Sequence, residues 1–127
     1  MDERKRVSEY EWGRAARMRC YREYVGLSRE EMAAALRIAP RSYQRFENGQ
    51  AAIPSGIWSL VDELLSRFDQ EVAKLVGSAV DAPVRVMVWR GAREDRFPPA
   101  MWLRIVAQAM RQNPHIEPYF PEDSGEE

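Results

Sequence analysis

Arg41, Gln44, Arg45 and Asn48 fall at i, i+3, i+4 and i+7 in a chain of 127 residues, the spacing that lines side chains along one face of a helix. Such a face suits the edges of base pairs. Arginine can fork two hydrogen bonds onto guanine O6 and N7, and glutamine can do the same with adenine N6 and N7. The rest of the chain is poor in reactive groups. A single histidine, His115, and a single cysteine, Cys20, leave no nucleophile–base pair, no zinc constellation and no internal disulfide, and no glycine loop has phosphate-cradling spacing. The neighbouring carboxylates Asp62-Glu63 and Glu94-Asp95 read as helix surface and turn. An enzyme, a cofactor, a metal and a small-molecule ligand are therefore not expected.

Local chemistry dictates how that polar face is held. Gly26 can take the positive φ that ends a preceding helix, and Ser28 with Glu31 three residues later forms a capping box that starts a new helix at Arg29. Met32, Ala33 and Leu36 then share one face, and Ile38 follows in the turn. Pro40 opens a second helix, because a proline in the first turn loses no intrahelical bond. Tyr43 and Phe46 point inward, the polar residues outward, and Gly49 supplies the stop. Two short helices on one apolar seam, separated by a tight turn, describe a helix-turn-helix.

The stretch LSREEMAAALRIAPRSYQRFENG resembles the Cro/phage-repressor (XRE-type) superfamily without a gap, through Leu27, Ser28, Glu30, Glu31, Met32, Ala33, Leu36, Ile38, Ser42, Tyr43, Arg45, Phe46, Glu47 and Gly49. With Gln50 to Pro54 added, it also resembles a narrower group of YdiL-like proteins and anti-CRISPR-associated repressors, which carry a C-terminal dimerising part. The superfamily likeness implies core positions for Met18 and Tyr21 and an ion pair between Arg22 and Glu47. It implies base readers at Pro40, Arg41 and Arg45, with Gln44 a neighbouring candidate. Pro40 departs from the usual polar reader and offers only apolar contact. Expected phosphate contacts are Ser28, Arg29, Asn48 and Gln50, with Arg37 in the turn, and these position the protein without specifying sequence.

Charge and patterning organise the remainder. Residues 1–50 carry eleven Lys/Arg against eight Asp/Glu, and residues 51–127 carry eight against twelve; the asymmetry points to the N-terminal half as the face toward nucleic acid. Arg4, Lys5 and Arg6 form a short basic arm, and a helix is expected from about Ser8 to Val25. A long helix is expected from about Gly56 to Val76, on an apolar stripe that runs from Ile57 through Leu60, Val61, Leu64, Leu65, Phe68, Val72 and Leu75. The helix-turn-helix needs only its first half. Residues 77–83 read as a linker, and the alternating, β-branched run 84–90 as the one good strand. Its unpaired edge calls for a partner. The economical one is the same strand of a second molecule across a twofold axis, and the alternative is Ile116 to Phe120 within the chain. A last helix spans about 99–111.

The expected fold class is mainly α: a lambda-repressor-like helix-turn-helix bundle with a long fourth helix and a small C-terminal strand-helix dimerisation unit. The divisions are a DNA-binding domain at 1–65, a dimerisation region at 66–117 and an acidic disordered tail at 118–127. Phe68, Val72, Leu75, Val84, Val86, Val88, Trp102, Ile105 and Val106 are the expected homodimer interface. Double-stranded DNA and a second copy are the expected partners. With no apolar run of membrane-spanning length and a charged N-terminus, the expected location is cytoplasmic. The function these features favour is a homodimeric, sequence-specific repressor of phage or prophage type, with autoregulation one of its options, reading an inverted repeat. The competing function is an antitoxin or other partner-binding protein on a helix-turn-helix scaffold.

Overall fold

The structure is a computed structural model and describes residues 14–124. The basic arm at Arg4, Lys5 and Arg6, the first turns expected from Ser8, and Glu126 and Glu127 of the tail lie outside the described residues. The chain divides into two compact units, one ending at Leu65 and one beginning at Ser66, and mainly helical structure fills both.

In the first unit, α1 spans Ala15–Val25, α2 Arg29–Leu36, α3 Pro40–Glu47, and α4 begins at Ser55 and runs to Ser78. Each boundary has a local cause. Gly26 adopts the left-handed conformation at φ 77°, and the N–H of Leu27 returns to the carbonyl of Arg22, the pattern that satisfies a helix's last carbonyls. Ser28 accepts from the N–H of Glu31 while the Glu31 carboxylate accepts from the N–H of Ser28, closing a full capping box. Pro40 occupies the first turn of α3. Gly49, at φ 75°, lets the N–H of Gln50 reach the carbonyl of Arg45 at 2.8 Å. The helices close over Met18, Val25, Leu27, Met32, Ala33, Leu36, Tyr43 and Phe46, with Ile53 and Val61, all of them buried.

The second unit holds the remainder of α4, then β1 (Val84–Met87), α5 (Pro99–Gln112), β2 (Ile116–Tyr119) and the short α6 (Pro121–Ser124). β1 and β2 pair in parallel, with Val84 opposite Ile116 and Met87 opposite Tyr119, and one further ladder bond runs from the N–H of Val88 to the carbonyl of Tyr119. Of the two pairings expected for β1, this is the one with Ile116 to Phe120 within the chain and not the one with a second molecule. The 14 residues of α5 are long enough to carry the chain back for a parallel crossover, and α5 packs on β2. The pairing corrects the count of strands. Ile-Glu-Pro-Tyr reads poorly as a strand because proline breaks the pattern, yet Pro118 sits opposite Val86 within β2.

Residues 118–124, expected to be disordered, are ordered instead. Pro118 and Tyr119 belong to β2, Pro121 is buried, and Arg90 pairs with Glu122 at 3.2 Å and Asp123 at 2.9 Å while lying over the ring of Phe120. Of the nine residues expected at a dimer interface, Phe68, Val72, Val86, Val88, Ile105 and Val106 are buried within the single chain, as the core that the second half of α4 needs. Leu75, Val84 and Trp102 keep partial exposure.

Asn113 ties this unit together from an unforeseen position. Its Nδ2 donates to the carbonyls of Val76 at 2.9 Å and Ala79 at 2.7 Å, and its Oδ1 accepts from the N–H of His115. One side chain thus satisfies carbonyls that the end of α4 would otherwise leave open.

Candidate nucleic-acid interface

The site is built on α3, whose two faces differ completely. Tyr43 and Phe46 are buried, whereas Pro40, Arg41, Gln44 and Arg45 are exposed. Among the described residues no carboxylate pairs with Arg37, Arg41 or Arg45. Those three cations, with Gln44, are therefore available to a polyanion.

The inward face is fixed by a polar network. Arg22 donates from Nε to Glu47 Oε2 at 2.5 Å and from Nη2 to Oε1 at 3.2 Å, and from Nη1 to the carbonyl of Leu27 at 3.0 Å. Tyr43 donates its hydroxyl to the same Glu47 oxygen, and Arg29 approaches Oε1 at 3.5 Å. The Glu47 side chain is 1 % exposed. Burial pushes its carboxyl pKa up, but hydrogen bonds from Arg22 and Tyr43 and the charges of Arg22 and Arg29 outweigh that and hold it below the ordinary value. Burial, then the bond to Glu47, drives the Tyr43 phenol far upward, and the bond to Glu47 raises Arg22. All three groups keep one protonation state near neutrality, so α3 is locked to α1 and to the start of α2 by a charge-assisted fork.

The expected phosphate contacts are placed unequally. Ser28, Asn48 and Gln50 are exposed, the first two at helix ends. The hydroxyl oxygen of Ser28 is engaged by Glu31, and Arg29 is shared with Glu47. Arg37 is exposed and stands at the end of α2 in the left-handed conformation, φ 62°. The N–H groups of Arg37 and Ile38 reach back to Ala34 and Ala33. A helix-turn-helix turn of this shape favours glycine, so the arginine here holds a conformation that L side chains disfavour. Sequence reading alone does not reveal that backbone.

Tyr21 meets Trp58 edge to face at 6.4 Å, and Arg14 lies over the Trp58 ring at 5.7 Å. These contacts bind α1 to the start of α4 and were not legible as a pair. Among the described residues no helix is long and apolar enough to cross a membrane.

No curated protein and no solved structure matches this chain. A family model described as a helix-turn-helix domain does match, over residues 14–75. That stretch takes in α1 to α3, the polar face of α3 and most of α4. Residues 14–75 are accordingly similar to a helix-turn-helix domain, a unit whose second helix can enter the major groove of duplex DNA.

Proposed function

We propose that this chain is a sequence-specific, double-stranded-DNA-binding transcriptional regulator, acting as a homodimeric repressor of phage or prophage type that reads an inverted repeat. One observation carries the reading: Arg41, Gln44 and Arg45 are exposed on a helix whose opposite face is locked by Arg22, Tyr43 and Glu47. A rigid helix presenting two forks and an amide can enter the major groove and read base edges. Ser28, Arg29, Arg37, Asn48 and Gln50 then set its register on phosphates, and DNA places it in the cytoplasm.

A single short helix covers too few base pairs for one operator, and two copies reading half-sites about 34 Å apart supply the rest. The partly exposed Leu75, Val84 and Trp102 contribute to that association, together with Leu103 and Met110, which lie seven apart on α5 at 40 % and 38 % exposure. The same apolar pair supports a second reading, in which the C-terminal unit takes up a different polypeptide, as an antitoxin does.

Selection from a pool of random duplexes at two salt concentrations, with Arg41→Ala beside the parent, tests the proposal. The parent selects an inverted repeat, and Arg41→Ala loses about 1–3 kcal/mol at the matched site and relaxes preference at one position of each half-site. Binding that is salt-sensitive but blind to sequence, or absent, overturns the regulator reading. A selected single half-site overturns the dimer.

A further inference from the structure

A cleft of about 510 Å³ opens in the second unit, lined by Arg67 and Glu71 of α4, by Trp89 and Trp102, and by residues 95–98 of the loop before α5. That volume is in the range of small-ligand sites. Its floor is aromatic. Trp89 and Trp102 stack at 5.5 Å and Trp102 and Phe97 at 5.7 Å, both nearly parallel. The floor is also pinned, since the Trp89 indole N–H donates to the carbonyl of Phe97 at 2.9 Å and that of Trp102 to the carbonyl of Met87 at 2.8 Å. Asp95 is held at φ 64°, a left-handed conformation uncommon outside glycine, and sparsely populated backbone of this kind clusters at ligand sites.

Four charged side chains line this floor, and they are not equivalent. Arg96 is engaged over the Trp89 ring at 5.5 Å, and Glu71 pairs with Lys74 at 3.1 Å. Arg67 and Asp95 line the same cleft, yet among the described residues neither has an ion-pair partner, and they do not pair with each other. One cation and one anion thus face a shared aromatic surface unneutralised.

We propose that this cleft is a binding site for a small zwitterion with an aromatic body, of amino-acid or dipeptide type. Arg67 takes its carboxylate, Asp95 takes its ammonium, and its ring packs on Trp102 and Phe97. Arg67 and Asp95 are exposed at the cleft, and two charges of opposite sign there favour a molecule that carries both, because a ligand with only one gains only one of the two attractions. The proposal stands apart from the DNA-binding reading and does not require it.

Calorimetric titration of the full chain with L-phenylalanine and phenylalanyl-alanine, each beside its N-acetyl and C-amide form, tests it. The better free zwitterion binds saturably, and either blocked form binds at least about tenfold more weakly. Asp95→Asn, a residue that tolerates left-handed backbone, erases the preference for the free ammonium, and Arg67→Gln erases that for the free carboxylate. Thermal unfolding of both variants checks that the unit is intact. Absence of binding up to about 10 mM, equal binding of the blocked forms, or unchanged preferences in two folded variants overturns the proposal.

Discussion

Arg22 grips Glu47 in a two-pronged fork, Nε to Oε2 at 2.5 Å and Nη2 to Oε1 at 3.2 Å, with the carboxylate 1 % exposed. Removing one partner strands the other charge in the interior. Arg22→Ala is expected to destabilise the first unit by about 3–5 kcal/mol, measured by denaturant unfolding. Arg29→Ala removes only a partly exposed neighbour at 3.5 Å and is expected to cost about 1 kcal/mol or less.

The same carboxylate dictates a pH dependence. Its folded pKa lies below the ordinary value of 4.5, so its contribution is fully present above that pH and is lost as pH falls through the folded pKa. Glu47→Gln is therefore less stable than the parent at pH 7, and the gap narrows below pH 4.5. Unfolding free energies of the two proteins between pH 7 and acid measure it, and a constant gap refutes the assignment.

Arg37 occupies left-handed backbone at φ 62° with an exposed side chain. Glycine relieves a conformational cost of about 1–2 kcal/mol, partly offset by about 0.5–1 kcal/mol of extra chain entropy. Arg37→Gly is thus expected to leave stability equal or raise it by up to about 1.5 kcal/mol. On DNA it should weaken binding evenly across sequences and reduce the salt slope by about one. A changed sequence preference in the selection assay would assign Arg37 to base contact instead.

Asn113 bridges two carbonyls near the end of α4 and one N–H of the following turn. Asn113→Ala leaves the Val76 and Ala79 carbonyls short of a donor, and Ala79 is 2 % exposed. The expected loss is about 1–3 kcal/mol in the second unit, read as earlier exposure of Trp89 and Trp102 by fluorescence during unfolding.

Features whose cause is local were legible in the sequence. Gly26, the Ser28–Glu31 box, Pro40 and Gly49 each act on the backbone within a few residues, and the helix ends of the first unit fall where they stand. The outward set on α3 was legible for the same reason, since helical periodicity alone sorts Arg41 from Tyr43. Features set by distant partners were not. β1 was readable as a strand and Ile116 to Phe120 as one of two candidate partners, but the choice between them depends on a crossover through α5. Asn113 before Pro114 reads as a helix stop, and only tertiary placement brings its amide to α4. The cleft was hidden, because only the fold brings Arg67 and Glu71 of α4 against Trp89, Trp102 and the loop between them.

Pro118 bears on how this protein behaves in a crowded cell. Val84 and Val88 donate to the carbonyls of His115 and Tyr119, so the alternate residue of β2, Pro118, turns its nitrogen away from β1. Its missing N–H costs the ladder nothing and falls on the open rim of the sheet, where an available donor would invite a foreign strand. The proline that disguises β2 in the sequence thereby protects it against edge-to-edge aggregation.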